Sequence, residues 1–158
     1  MPILVFLQTM PKVAIAPLIM VWFGLGDLSK VVLASTIVFF SVMINTMDGL
    51  RIRPEYYDLA RVYKANDWQI MLRIRLRNAL PNIFTGLRIG TTLAVIGVTV
   101  AEFVGSQDGL GHLMVLYQAY LKIPQMFAAI VVLSIFGYIF YELLKLIEKI
   151  LLPWYREE

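Results

Sequence analysis

Cysteine is absent from this sequence, and histidine occurs once, at His112. The first absence excludes a disulfide framework, an iron–sulfur cluster and a thiolate zinc site, and the second leaves no imidazole-rich metal centre. Charge is scarce as well: 16% of the residues are charged, against about 25% in an ordinary soluble domain. No Gly-rich phosphate loop occurs, so neither an ATPase site nor a bound cofactor is expected in this chain. Ser35, Ser41 and Ser134 lie in apolar stretches without a partner base, which removes the usual constellation of an intramembrane protease. The net charge of +3 would point to nucleic acid only if the basic residues formed one stripe. They fall between apolar stretches instead, so no nucleic-acid partner is expected.

What the chain has in excess is apolar length. Hydrophobic residues make up 59% and the mean hydropathy is +0.74, beyond the roughly 45–50% apolar share of a soluble domain. Apolar stretches near the ~20 residues that cross a bilayer recur along it. The expected fold is therefore all-α and polytopic: a single domain over 1–158 with about four transmembrane helices near 13–26, 30–50, 81–104 and 124–146. The first of these, broken by Pro17, is short and leans on the apolar residues 1–7. Pro81 reads as the start of the third span, with Arg88 close enough to one end to snorkel. Residues 105–122 read as a loop containing a short segment with Tyr117 and Tyr120, and residues 145–150 as an amphipathic tail. No cleavable signal peptide is expected, because Met1-Pro2 leads straight into apolar residues.

Orientation follows from the basic residues, which are retained on the cytoplasmic side. Seven of them, Arg51, Arg53, Arg61, Lys64, Arg73, Arg75 and Arg77, lie in the segment 51–80, whereas 105–122 holds only Lys122. The chain is expected in the cell (inner) membrane with the loop 51–80 and the C-terminus on the cytoplasmic side.

That loop carries its own helix signals. Pro54 suits a first helical position and Glu55 and Asp58 follow in the first turn, favoured by the helix dipole. A short helix to about Ala65 would place Leu59, Val62 and Tyr63 on one side and let Asp58 pair with Arg61. Asn66 with Gln69 three residues on reads as a capping box opening a second helix. Arg73, Arg75 and Arg77 alternate with Leu72, Ile74 and Leu76, a strand-like period, but the cap favours a helix at the headgroups, its arginines meeting anionic membrane lipid or a protein partner. A compact helix held out between two spans is shaped to fill a groove on another protein; an interfacial helix packing on its own bundle is the plainer alternative.

The run Asp58-Leu59-Ala60-Arg61-Val62-Tyr63-Lys64-Ala65-Asn66-Asp67-Trp68, followed by Leu80-Pro81, resembles the EAA loop of permease subunits of binding-protein-dependent ABC importers. Asp58 stands at that motif's acidic position, Leu59 and Ala60 at its two alanines, Lys64 at its glycine and Leu80-Pro81 at its closing pair. Pro11-Lys12-Val13-Ala14-Ile15-Ala16-Pro17-Leu18, Trp22-Phe23-Gly24-Leu25-Gly26, Ala101-Glu102-Phe103 and Gly109-Leu110-Gly111 extend the resemblance over the whole chain, toward the nitrate, sulfonate, taurine and bicarbonate branch that includes permeases for thiamine-pyrimidine precursors. The resemblance implies a permease that homodimerises around a path for a small solute. It also implies an ATPase-coupling segment of Glu55, Asp58, Leu59, Ala60, Arg61, Val62, Tyr63, Lys64 and Ala65, a cytoplasmic ABC ATPase that binds the ATP, and a periplasmic or lipid-anchored solute-binding protein. Family members normally carry further N-terminal spans, so it implies in addition that this chain lacks them. A non-transporting anchor or assembly subunit, or a truncated remnant, is the rival function.

Within the third span Gly86, Gly90, Ala94, Gly97 and Ala101 recur every three or four residues, a face that lets another helix approach closely for packing or for a pathway. Glu102, a carboxylate toward the outer end, is expected in a gating or ion-pair role or capping a loop. Asn45 and Thr46 are expected to hydrogen-bond between helices.

Overall fold

The computed structural model describes residues 9–155 and is helical without strands among them; the expectation for residues 1–7 lies outside the described part. A 3-10 turn, Lys12–Ile15, leads into α1 (Ala16–Phe23), with Pro17 in its first turn. α2 (Asp27–Gly49) follows, then the loop helix α3 (Pro54–Val62) and the short α4 (Asp67–Ile70). A π turn, Met71–Arg75, joins α4 to α5 (Leu76–Gly105), and α6 (Leu110–Ala119) and α7 (Ile123–Leu151) complete the order.

Three helical stretches are long and apolar enough to cross a membrane: α2, the continuous run Asp67–Gly105, and α7. The chain is a multi-pass membrane protein. The stretch expected as a first crossing is the shorter helical segment Lys12–Phe23, about 18 Å long at 1.5 Å per residue and so below a hydrocarbon core of about 30 Å. Among the described residues it packs on the bundle: Ala16, Ile19 and Met20 join Leu33 and Ile37 of α2 and Ala101 of α5 in one buried cluster.

Several local expectations change. Pro81 sits inside a helix rather than opening one, because the helix has been running since Asp67. The expected capping box is the reason: Trp68 N–H donates to Asn66 Oδ1 at 3.3 Å and Asn66 N–H to Gln69 Oε1 at 2.9 Å. Having no N–H, Pro81 leaves the Arg77 carbonyl without its usual helical donor, a break that follows directly on the π turn. Residues Leu110–Ala119, expected within a loop, form α6. Residues 145–150 are no separate tail but the last turns of α7.

α2 and α5 share the most extensive contact in the molecule. The small-residue face of α5 makes it possible. A methyl group added at Gly86 would lie 3.0 Å from the Asn45 Cβ and the Val42 Cα, and one at Gly97 would lie 3.2 Å from the Ala34 Cα. Asn45 and Thr46 do not bridge helices as expected; they bond back to the carbonyls of Ser41 and Val42 at 2.8 and 2.7 Å. Polar links between α2 and α5 come from Asn78, whose amide donates to the Gly49 carbonyl at 2.8 Å, and from Ser41, whose hydroxyl donates to the Gly86 carbonyl at 3.5 Å.

Candidate functional site

The loop helix α3 starts at Pro54 with Glu55 in its first turn, and packs little against the rest of the molecule. Its C-terminus is closed by a Schellman motif: Ala65 N–H reaches the Ala60 carbonyl at 3.0 Å and Lys64 N–H the Arg61 carbonyl at 2.8 Å. That motif demands a left-handed residue at its turn. Lys64 supplies it with φ +57°, at the position where the resembling motif carries glycine. A side chain there costs about 1 kcal/mol or more, so Lys64→Gly should raise the thermal midpoint of the purified protein by relieving about that much strain. An unchanged or lowered midpoint would mean that the turn depends on the lysine side chain itself.

Arg61 does not pair with Asp58 as expected. It donates to the Tyr57 hydroxyl at 2.8 and 3.1 Å and to the Asp67 carboxylate, bridging α3 to the start of α4. Its pKa is pushed above the ordinary arginine value, first by the bond to Tyr57 and then by Asp67, so Arg61 stays charged at physiological pH. The clamp fixes the angle between the two helices and leaves Asp58 exposed at the surface. Leu59, Val62 and Tyr63 share the outward face and are 55%, 77% and 79% exposed, whereas Ala60 points inward and is buried. The coupling candidates therefore divide: Asp58, Leu59, Val62 and Tyr63 are available to a partner, Glu55 stands exposed at the entry, and Ala60, Arg61, Lys64 and Ala65 shape the helix and its stop.

At the opposite end of the bundle Glu102 is buried, and its Oε2 accepts from Gly111 N–H at 2.6 Å. The carboxylate thus sits over the first turn of α6, where the helix dipole favours negative charge. Lys30, bonded to Asp27 at 3.1 Å, lies 4.0 Å from Glu102 Oε1. Gly109 adopts φ +113°, and any side chain there would collide with the Glu102 carboxylate. Of the roles open to Glu102, the geometry supplies a cap on α6 backed by an ion pair to the start of α2.

Gly86, Gly90 and Gly97 face α2, and Ala101 lies in the buried cluster. Gly90, Ala94 and Glu102 also line a cavity of about 550 Å³ whose other wall carries Phe136 and Phe140 of α7. Its polar groups are already used: Thr91 and Thr99 bond back to the carbonyls of Leu87 and Val95, and Glu102 holds α6.

Arg88 does not snorkel. It is 7% exposed, and its Nε lies 3.3 Å from Oε2 of Glu148, itself 6% exposed. The pair joins α5 to the last turns of α7. Glu148 escaped the reading of the sequence because it fell in the supposed tail, among Glu142, Lys145 and Lys149, where nothing set it apart as the partner of Arg88.

The loop 51–80 and the end of α7 lie at the same end of the bundle, since the Arg77 guanidinium stacks 4.8 Å over the ring of Trp154. An even number of crossings separates the two.

Residues 1–156 match the family described as binding-protein-dependent transport system inner membrane component, and the chain belongs to it. It is 43% identical over 134 residues to a probable ABC transporter permease protein of Haemophilus influenzae, covering 84% of this chain and 55% of that protein. Against the formylaminopyrimidine transport permease protein ThiX of Halalkalibacterium halodurans the identity is 37% over 99% of this chain and 63% of ThiX. Against the putative aliphatic sulfonates transport permease protein SsuC of Bacillus subtilis it is 34% over 97% and 56%. The chain spans between 55% and 63% of the length of these relatives. The resemblance drawn from the loop and its flanking motifs is thus borne out for the family.

Proposed function

We propose that this chain forms the membrane path and lever of an importer that moves a small solute into the cell, driven by a separate ATPase. The observation that carries the proposal is the loop helix: α3 stands off its own bundle, is locked at its C-terminal end, and presents an apolar face to solvent. A helix that only packed on its own spans would bury Leu59, Val62 and Tyr63. The face is instead free to enter a groove on a cytoplasmic ABC ATPase, which binds and hydrolyses the ATP. Solute arrives from a periplasmic or lipid-anchored binding protein, and a second copy of the permease completes the path. The relatives' names point to small organic solutes such as a formylaminopyrimidine, an aliphatic sulfonate or taurine; nitrate rests on the resemblance of the motifs alone.

Movement passes along one helical run. Asp67–Gly105 stays helical through the π turn and Pro81, so a displacement of the clamped α3–α4 corner by the ATPase reaches α5, and with it the packed α2, through that junction. The two end states then differ in contacts at each mouth of the path, which is where ATP binding does its work.

Reconstitution tests this. The complete permease in proteoliposomes with its cognate ATPase and binding protein should accumulate solute only with ATP, and the loaded binding protein should stimulate hydrolysis. Hydrolysis indifferent to the permease would identify a passive anchor.

Orientation is tested separately, and these residues bring no cysteine of their own to the labelling. With the permease expressed alone, Tyr63→Cys should resist an impermeant maleimide in intact cells and react after permeabilisation. Gln107→Cys, exposed at the opposite end, should react in both. The reverse pattern would put the loop outside and remove the ATPase from its reach.

A further inference from the structure

A cavity of about 780 Å³ opens where three separate segments meet: the link between α2 and α3, the π turn with the start of α5, and the residues after α7. Arg51, Arg53, Arg73 and Arg77 line it together with Trp154 and Tyr155, and no carboxylate does so among the described residues. Arg51 reaches Asp48 at 3.8 Å, but both side chains are more than 60% exposed, so the pair neutralises little. Four guanidinium groups drawn from distant parts of the chain repel one another unless an anion lies between them.

The position of the cavity narrows the choice of anion. Gly49 at the end of α2 and Leu151 at the end of α7 lie next to it in sequence. Its lining also includes the apolar Ile52, Ile74 and Pro81. Tryptophan and tyrosine beside such helix ends occupy the headgroup layer. Arginine is suited to phosphate because its planar fork donates two parallel hydrogen bonds to two oxygens. We propose that this cavity is a binding site for a phosphate group, supplied by the headgroup of an anionic phospholipid in the leaflet where α7 ends. It would tie the root of the loop helix, the π turn and the end of α7 to one lipid. The inference goes beyond the importer reading and needs only that the three long helices span a bilayer.

Trp154 reports on the site directly. In the complete protein carrying Trp22→Phe and Trp68→Phe, both at exposed positions, Trp154 is the one tryptophan of these residues. In nanodiscs, brominated phosphatidylglycerol should quench it at a mole fraction about fivefold lower than brominated phosphatidylcholine. Arg53→Gln with Arg73→Gln should erase the difference; Arg77 stays in place because it stacks on the reporter. In discs of phosphatidylcholine alone, inorganic phosphate tests a soluble source through a saturable change in Trp154 emission. Either response, lost in the arginine variant, supports the phosphate site and says whether lipid or solution fills it. Equal quenching by both lipids with no response to inorganic phosphate overturns it, as does a lipid preference or phosphate response that survives in a folded variant.

Discussion

Arg88→Leu should cost the folded protein about 3–5 kcal/mol, the usual loss when one partner of a buried ion pair is removed. The Arg88 and Glu148 side chains are 9% and 8% exposed and lie 3.3 Å apart, so neither reaches water when the other is gone. Leucine at position 88 would leave the Glu148 carboxylate at the α5–α7 contact without its guanidinium, to be protonated or exposed by parting the helices. Glu148→Leu should be as damaging for the opposite reason. The double change Arg88→Leu with Glu148→Leu removes both desolvation penalties and places two apolar side chains against each other, so most of the lost stability should return. Thermal unfolding of the four proteins in nanodiscs checks this. If the double variant is as unstable as the singles added together, the two residues act independently and the pair is no link between α5 and α7.

The same pair shows where sequence reading stops. Arg88 was visible as a charge inside an apolar stretch, but its partner lies sixty residues away, and periodicity carries no record of which faces meet. Local chemistry was more legible. The Asn66 box opens α4 as its spacing demanded, and the small residues of α5 lie where their three- and four-residue rhythm put them. Signals that compete for one position were decided by the wider chain. Pro81 suits a helix start, yet the earlier cap at Asn66 had already begun the helix, so the proline became a break within it. The alternation of Arg73, Arg75 and Arg77 with apolar residues belongs neither to a strand nor to a regular α-helix. It falls largely on a π turn, whose wider spacing a fixed helical period does not describe. In the loop, the motif located the helix and its stop, but the division between outward and inward residues needed coordinates. Arg61 could pair with Asp58 or with Asp67, and the fold of α4 back toward α3 chose Asp67.

That division decides which substitutions test coupling. Ala60 is buried, so a large residue there would damage the loop itself and say nothing about a partner. Asp58 and Val62 are one helical turn apart and both exposed, so Asp58→Lys and Val62→Asp change only what α3 presents. If the outward face fills a groove on the ATPase, Val62→Asp puts an unpaired charge into an apolar contact, at a cost of roughly 2 kcal/mol or more. That is about a thirtyfold loss of ATPase affinity. Asp58→Lys reverses a charge in the same surface and should add repulsion wherever the groove is basic. Neither change touches a span or the Arg61 clamp, so both permeases should insert as the parent does, with a loss of stability no larger than the several tenths of a kcal/mol that a charge opposing the α3 dipole costs. In the complete importer each should lower co-purification of the ATPase and bring solute uptake to background, with Leu59→Ala falling between them and the parent. Parental uptake and ATPase binding in both charge variants would leave α3 as a connector at the membrane surface, and the lever would have to lie elsewhere in the chain.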